Sequence, residues 1–191
     1  MRTTTRKEEI ERIARWFDQR DQELRSTTGS AVHNTTHGIF GATAVQDAFA
    51  LCERLDLHGS MRFCDLGSGD GRVALVAALF CTSNGIEADP ALHAIAQQAK
   101  AELIAGIPAV ARCELALGDY RDVDLTGFDV IFAFADHAWP REIEESLRRR
   151  ARPGVIIAHQ DIFRPQILRK GPTIWIGQSP FVTYPIGRRS P

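Results

Sequence analysis

The sequence has little that would tie it to metals, disulfides or membranes. Its 191 residues include four cysteines, Cys52, Cys64, Cys81 and Cys113, widely spaced among apolar neighbours. No C-x-x-C pair occurs, which argues against the common zinc and dithiol frameworks and leaves buried free thiols in a reducing compartment as the expectation. No apolar run reaches the roughly eighteen residues that a membrane span needs. The first residues read as a charged helix rather than the apolar segment of a signal peptide, so a cytoplasmic protein without a membrane span is expected. Internal repeats and low-complexity tracts are absent. Nor does one charge dominate. With 23 Lys+Arg against 24 Asp+Glu the formal net charge is −1, which gives the whole molecule no broad attraction to nucleic acid or lipid.

Charge is unevenly placed, however. Residues 1–140 carry 13 Lys+Arg against 20 Asp+Glu, a balance of −7, whereas residues 141–191 carry 10 against 4, a balance of +6. Arg148, Arg149, Arg150 and Arg152 crowd the end of a helical stretch, where cations offset the helix dipole. A patch for an anionic partner is the other reading of the same run.

What the chain does contain is alternation. An amphipathic helix is expected over roughly residues 5–25, where Ile10, Ile13, Ala14 and Phe17 follow the i, i+3, i+4, i+7 spacing. Ser26 to Ser30 ends it, and a small-polar linker leads to Thr36-His37-Gly38-Ile39-Phe40. A second helix carries Val45, Phe49, Cys52 and Leu55 on one face. Strands are then expected near 62–66, 84–88, 113–117, 128–134 and 154–159, separated by helical segments. The helix after 84–88 has Asp89 as N-cap and Pro90 at its first position. Thr173 to Gly187 reads as two short strands around Ser179-Pro180. This order predicts a three-layer αβα sandwich: a mostly parallel seven-stranded sheet with one antiparallel strand. One domain is expected, with residues 1–58 as N-terminal helices and flap and residues 59–191 as the core.

The most informative stretch is Arg62 to Arg72, in which Asp65-Leu66-Gly67-Ser68-Gly69-Asp70-Gly71 joins an apolar strand to an apolar helix. Glycine permits the positive φ of such a turn and leaves backbone bare for a ligand. Glu87 ends the next strand twenty residues after Gly67, where a carboxylate can accept both hydroxyls of a ribose. Dinucleotide folds use G-x-G-x-x-G and seat a pyrophosphate on the helix N-terminus. Here the spacing is G-x-G-x-G, with Asp65 before the loop and Asp70 inside it. Two carboxylates repel a pyrophosphate and attract an amino group and a sulfonium.

Residues 65–72 with Glu87 resemble the class I S-adenosylmethionine-dependent methyltransferases, a likeness that covers roughly residues 60 to 160. The resemblance implies a Rossmann-like fold, S-adenosyl-L-methionine as cofactor and S-adenosyl-L-homocysteine as product. By the same resemblance Asp65, Leu66, Gly67, Ser68 and Gly69 contact the amino-acid portion, Asp119 accepts from the adenine amino group, and Ala88, Tyr120 and Phe134 border the cofactor. Asp136 and His137, after the strand at 128–134, are the candidates to orient or deprotonate a nucleophile. The segment Ala133 to Pro140 lacks the N-P-P-Y or D-P-P-Y signature of enzymes that methylate base amino groups, so DNA is not an expected partner. The loop and the apolar helix after it look particularly like non-SET protein lysine methyltransferases. The expected acceptor is therefore an N or O nucleophile of a protein or small molecule. Two other readings stay open: a NAD-binding Rossmann protein, opposed by the glycine spacing, and a non-catalytic cofactor-binding interaction module. A metal held by Asp136, His137, His159 and Asp161 is geometrically conceivable, but no tight ligand motif supports it, and none is expected.

Overall fold

The computed structural model describes residues 5–30, 32–35, 38–150, 153–160 and 163–187. Helix α1 (Arg6–Thr28) opens on a capping box. The Glu8 amide donates to Thr5 Oγ1 at 3.3 Å, and the Thr5 amide donates to Glu8 Oε2 at 2.8 Å. Gly29, with φ 75°, closes the helix in the left-handed region. Ile13 and Phe17 are fully buried, each contributing about 1.5–3 kcal/mol of apolar transfer energy.

A short hairpin follows, β1 (His33–Thr35) and β2 (Gly38–Phe40), where the sequence suggests only a linker. Thr36 and His37 lie outside the described residues. Next come α2 (Val45–Arg54), β3 (Arg62–Leu66), α3 (Arg72–Ala77), β4 (Thr82–Glu87), α4 (Pro90–Leu103) and β5 (Cys113–Leu117). Asp89 caps α4 by accepting from the amides of Ala91 and Leu92 at 2.8 and 3.1 Å. The chain continues through β6 (Val130–Ala133), α5 (Arg141–Arg149), β7 (Gly154–His159), β8 (Thr173–Ile176) and β9 (Ser179–Ile186).

The large sheet has the order β5-β4-β3-β6-β7-β9-β8. Its first five strands are parallel, and β9 runs against both β7 and β8. The expected mostly parallel sheet with one antiparallel strand is therefore the observed one. The last hairpin turns at Gly177-Gln178, not at Ser179-Pro180; Gly177 takes φ 56°, and Ser179 and Pro180 already belong to β9.

Strand alternation divides two cores. Phe63, Val130, Phe132 and Ile157 face one side, packed with residues from α1, α2, α3 and α4. Cys64, Ile131, Ile156 and Val182 face the other, covered by α5, Trp139 and Leu168. All four cysteines are buried free thiols whose pKa burial pushes up, which makes them inert packing groups. No helix among the described residues is long and apolar enough to cross a membrane.

Candidate active site at the carboxyl edge of the sheet

In open α/β sheets, ligands bind beyond the carboxyl ends of the strands near the point where strand order reverses. Here β3 is flanked by β4 on one side and β6 on the other, and a cavity of about 320 Å³ lies at that edge. Every residue singled out in the sequence for cofactor or chemistry lines this one cavity: Asp65 to Gly69, Glu87, Ala88, Asp119, Tyr120, Phe134, Asp136 and His137.

The loop after β3 is made by its glycines. Gly67, Gly69 and Gly71 take φ of 66°, 55° and 81°, conformations that side chains rarely adopt. A Cβ on Gly69 would also lie 2.5 Å from the Phe40 ring, so glycine lets β2 close over the loop. Glu87, 6% exposed, stands across from it. Its Oε2 accepts from the Gly69 amide at 2.6 Å and its Oε1 from the Asp89 amide at 2.8 Å. Each carboxylate oxygen retains acceptor capacity toward the cavity.

Asp65 is 3% exposed. Burial pushes its carboxyl well above the usual range, and the nearby Glu87 and Asp70 push it further. Asp70 lines the same cavity as Asp65, and it also has a cationic partner inside the protein. Arg72 grips it, with Nε to both carboxylate oxygens at 3.1 and 3.0 Å and Nη2 to Oδ2 at 2.6 Å. Its charge is thus already matched inside the protein. Asp119 caps a short 3₁₀ turn, Tyr120–Asp122, and pairs with Arg121, which holds its carboxyl below the usual range. It keeps its place on the cavity wall.

After β6, Asp136, His137 and Tyr120 form a chain. His137 Nδ1 lies 2.6 Å from Asp136 Oδ1, and His137 Nε2 lies 3.2 Å from the Tyr120 hydroxyl. Asp136 Oδ2 accepts from the Ile39 amide of β2 at 2.6 Å. Burial raises the Asp136 carboxyl, but the Ile39 amide and His137 outweigh it and keep the group ionised. Gly38 makes this approach feasible, since a Cβ there would sit 2.0 Å from Asp136 Oδ2.

His159 Nδ1 lies 2.9 Å from Thr43 Oγ1, and its ring packs 4.4 Å from both Phe134 and Phe181. Burial lowers its pKa to about 4, partly opposed by Asp47, so the ring is neutral. Asp161 lies outside the described residues. Among the described residues no three His, Cys, Asp or Glu side chains are grouped to hold a metal ion.

Sequence reasoning missed Thr43 and Trp139 as cavity residues. It placed Ile39 and Phe40 near the site only as part of a flap, without the hairpin that aims them. No local signal marks Thr43 or Trp139, since both reach the cavity through the packing of segments distant in sequence.

The structure is similar to an RNA methyltransferase from Salinibacter ruber solved with S-adenosyl-L-homocysteine, with TM-score 0.64 and 22% identity over 79% of this chain and 97% of that one. The fold is the Rossmann-like methyltransferase fold. A SAM-dependent methyltransferase from Aquifex aeolicus aligns with TM-score 0.55 and 16% identity over 73% of this chain and 89% of that one. YjhP from Escherichia coli aligns with TM-score 0.50 and 21% identity over 60% of this chain, which spans 48% of that longer protein. No protein-family model matches the chain, and no curated protein is similar to it in sequence.

Proposed function

We propose that this protein is an S-adenosylmethionine-dependent methyltransferase acting on an N or O nucleophile of a protein or small molecule. The observation that carries this reading is the convergence of the bare glycine loop, Asp65 and Glu87 on one cavity of this fold. The donor set fits the cofactor. Loop amides and Asp65 suit an amino-acid head, Glu87 suits ribose hydroxyls, and Asp119 with Ala88, Tyr120 and Phe134 suits an adenine and its surroundings. S-adenosylmethionine, when bound, supplies an electrophilic methyl group on a positively charged sulfur.

Leu66 to Gly69 orient the amino-acid end through backbone contacts, and the ring of Phe40 helps exclude water. Ionised Asp136 fixes His137 with its Nδ1 proton toward the carboxylate, which leaves Nε2 to accept from Tyr120. The acceptor's proton can then move to the Tyr120 oxygen while the phenolic proton moves to His137 Nε2. An amine is the favoured nucleophile, because the cavity residues left to the acceptor include the ionised Asp136 and the aromatic ring of Trp139. This favours the protein lysine methyltransferase-like reading over an anionic nucleic-acid substrate.

Calorimetry tests the cofactor directly: S-adenosylmethionine and S-adenosylhomocysteine should bind at about micromolar Kd, as expected for a cofactor, and NAD should not. NAD binding with no response to either adenosyl ligand would end the reading. The same titration carries a pH signature. A bound ammonium favours ionised Asp65, whose carboxyl holds its proton unusually tightly in the free protein, so binding should release a proton. Affinity is then expected to rise with pH through the raised Asp65 value, and the heat of binding should differ between phosphate and imidazole buffers. Identical heats in both buffers from acid to neutral pH would show that Asp65 does not meet the ammonium. A panel of lysine-bearing proteins and small amines with labelled donor identifies the acceptor class.

A further inference from the structure

Helix α1 lies outside the alternating β-α core, yet one of its side chains reaches the cofactor loop. Asp21 accepts from Arg72 Nη1 at 3.0 Å and from Nη2 at 2.6 Å. Arg72 is the first residue of α3, and its other side holds Asp70 of the glycine loop. The guanidinium also lies 4.7 Å from the centroid of Phe17, one turn before Asp21 on α1. Every guanidinium nitrogen is therefore engaged, in a side chain only 6% exposed. The three groups form one line from a partly exposed Asp21 on α1, through buried Arg72, to Asp70 in the loop.

We propose that Asp21 is a positioning residue for cofactor binding, acting through Arg72 on Asp70 and the 67–71 turn. This rests on the methyltransferase reading above. Two physical effects support it. Three glycines at positive φ make an inherently permissive loop, and a clamp at Asp70 removes freedom that ligand binding would otherwise have to remove. The second effect is electrostatic. Arg72 lines the cavity beside Asp65 and Glu87, and two flanking carboxylates hold its charge away from a cationic ligand. Without Asp21 the forked geometry loses one of its two anchors, and a buried guanidinium seeks new acceptors. Its charge, then matched by Asp70 alone, bears on the cavity that Arg72 lines. α1 is thereby part of the binding machinery rather than an appendage.

The two effects make a specific signature. S-adenosylmethionine carries a sulfonium charge that S-adenosylhomocysteine lacks, so a misdirected Arg72 penalises the first ligand more. Asp21→Asn is expected to weaken S-adenosylmethionine by about tenfold, the scale of one charge-assisted hydrogen bond, and S-adenosylhomocysteine by less. Ile13→Val thins the buried face of the same helix without touching this line of charges, and should leave the ratio of the two affinities unchanged. Calorimetry on the full chain, with circular dichroism to confirm folding, reads both. If Asp21→Asn does not fold, Asp21→Glu carries the test: it keeps the charge but displaces the carboxylate by one methylene, and the affinity ratio should still shift toward S-adenosylhomocysteine. Wild-type affinities in the variant, or equal weakening of both ligands, would overturn the role of Asp21. A wild-type chain that binds neither ligand would instead overturn the methyltransferase reading on which it rests.

Discussion

Glu87→Ala is expected to weaken S-adenosylmethionine binding by about a hundredfold or more, with the helical circular dichroism signal retained. Hydrogen bonds to a charged group contribute about 1.5–3 kcal/mol each, and an expected pair of ribose hydroxyls would donate two of them. The structure adds a second loss. Glu87 also accepts from the amides of Gly69 and Asp89 at 2.6 and 2.8 Å, so its removal leaves two buried donors without their acceptor. The 67–71 loop would then relax at the same time as the proposed ribose acceptor is lost. Glu87→Gln, which keeps the shape and one acceptor oxygen, should fall between the two. Asp119→Ala should cost less, because Asp119 sits on the cavity rim and is already engaged by Arg121. A folded Glu87→Ala protein with wild-type affinity would show that this carboxylate does not meet the ribose.

Asp136→Asn and His137→Ala should act on turnover instead. General acid–base groups contribute about 10²–10⁴-fold, and losses in that range are expected with cofactor affinity nearly unchanged. The reason lies in position. Asp136 and His137 follow β6, on the side of the cavity we propose for the acceptor, whereas Glu87 and Asp119 follow β4 and β5, on the side we propose for the nucleoside. Asn at 136 keeps one oxygen for the Ile39 amide but gives up the charge that orients His137. Steady-state rates on an acceptor from the labelled-donor panel, paired with calorimetry, separate the two effects. Full turnover in both variants would mean that catalysis here is placement of nucleophile and methyl carbon alone.

His159 bonds Thr43 and stacks within an aromatic layer with Phe134 and Phe181. A buried neutral ring is consistent with the apolar segments around it, a setting that the strand pattern at 154–159 does not reveal.

Much of this protein was legible from its sequence because the signals involved are short-range. Short apolar runs marked the buried strands and period-3.6 hydrophobicity the helices, Asp89-Pro90 marked a helix start, and Gly67, Gly69 and Gly71 marked a turn that only positive φ can make. Each depends on a residue and its immediate neighbours. What the tertiary structure alone decided is which charges meet. Asp70 has the same local sequence whether it faces a ligand or Arg72, and Arg72 finds Asp21 across 51 residues of chain. The Ile39 amide finds Asp136 across 97. A carboxylate's role is set by what lies within about 3 Å of it, and that distance is created by the docking of α1 and of the β1–β2 hairpin onto the sheet edge. Hydrophobic patterning directs the docking, but it does not say which polar groups the docked surfaces bring together.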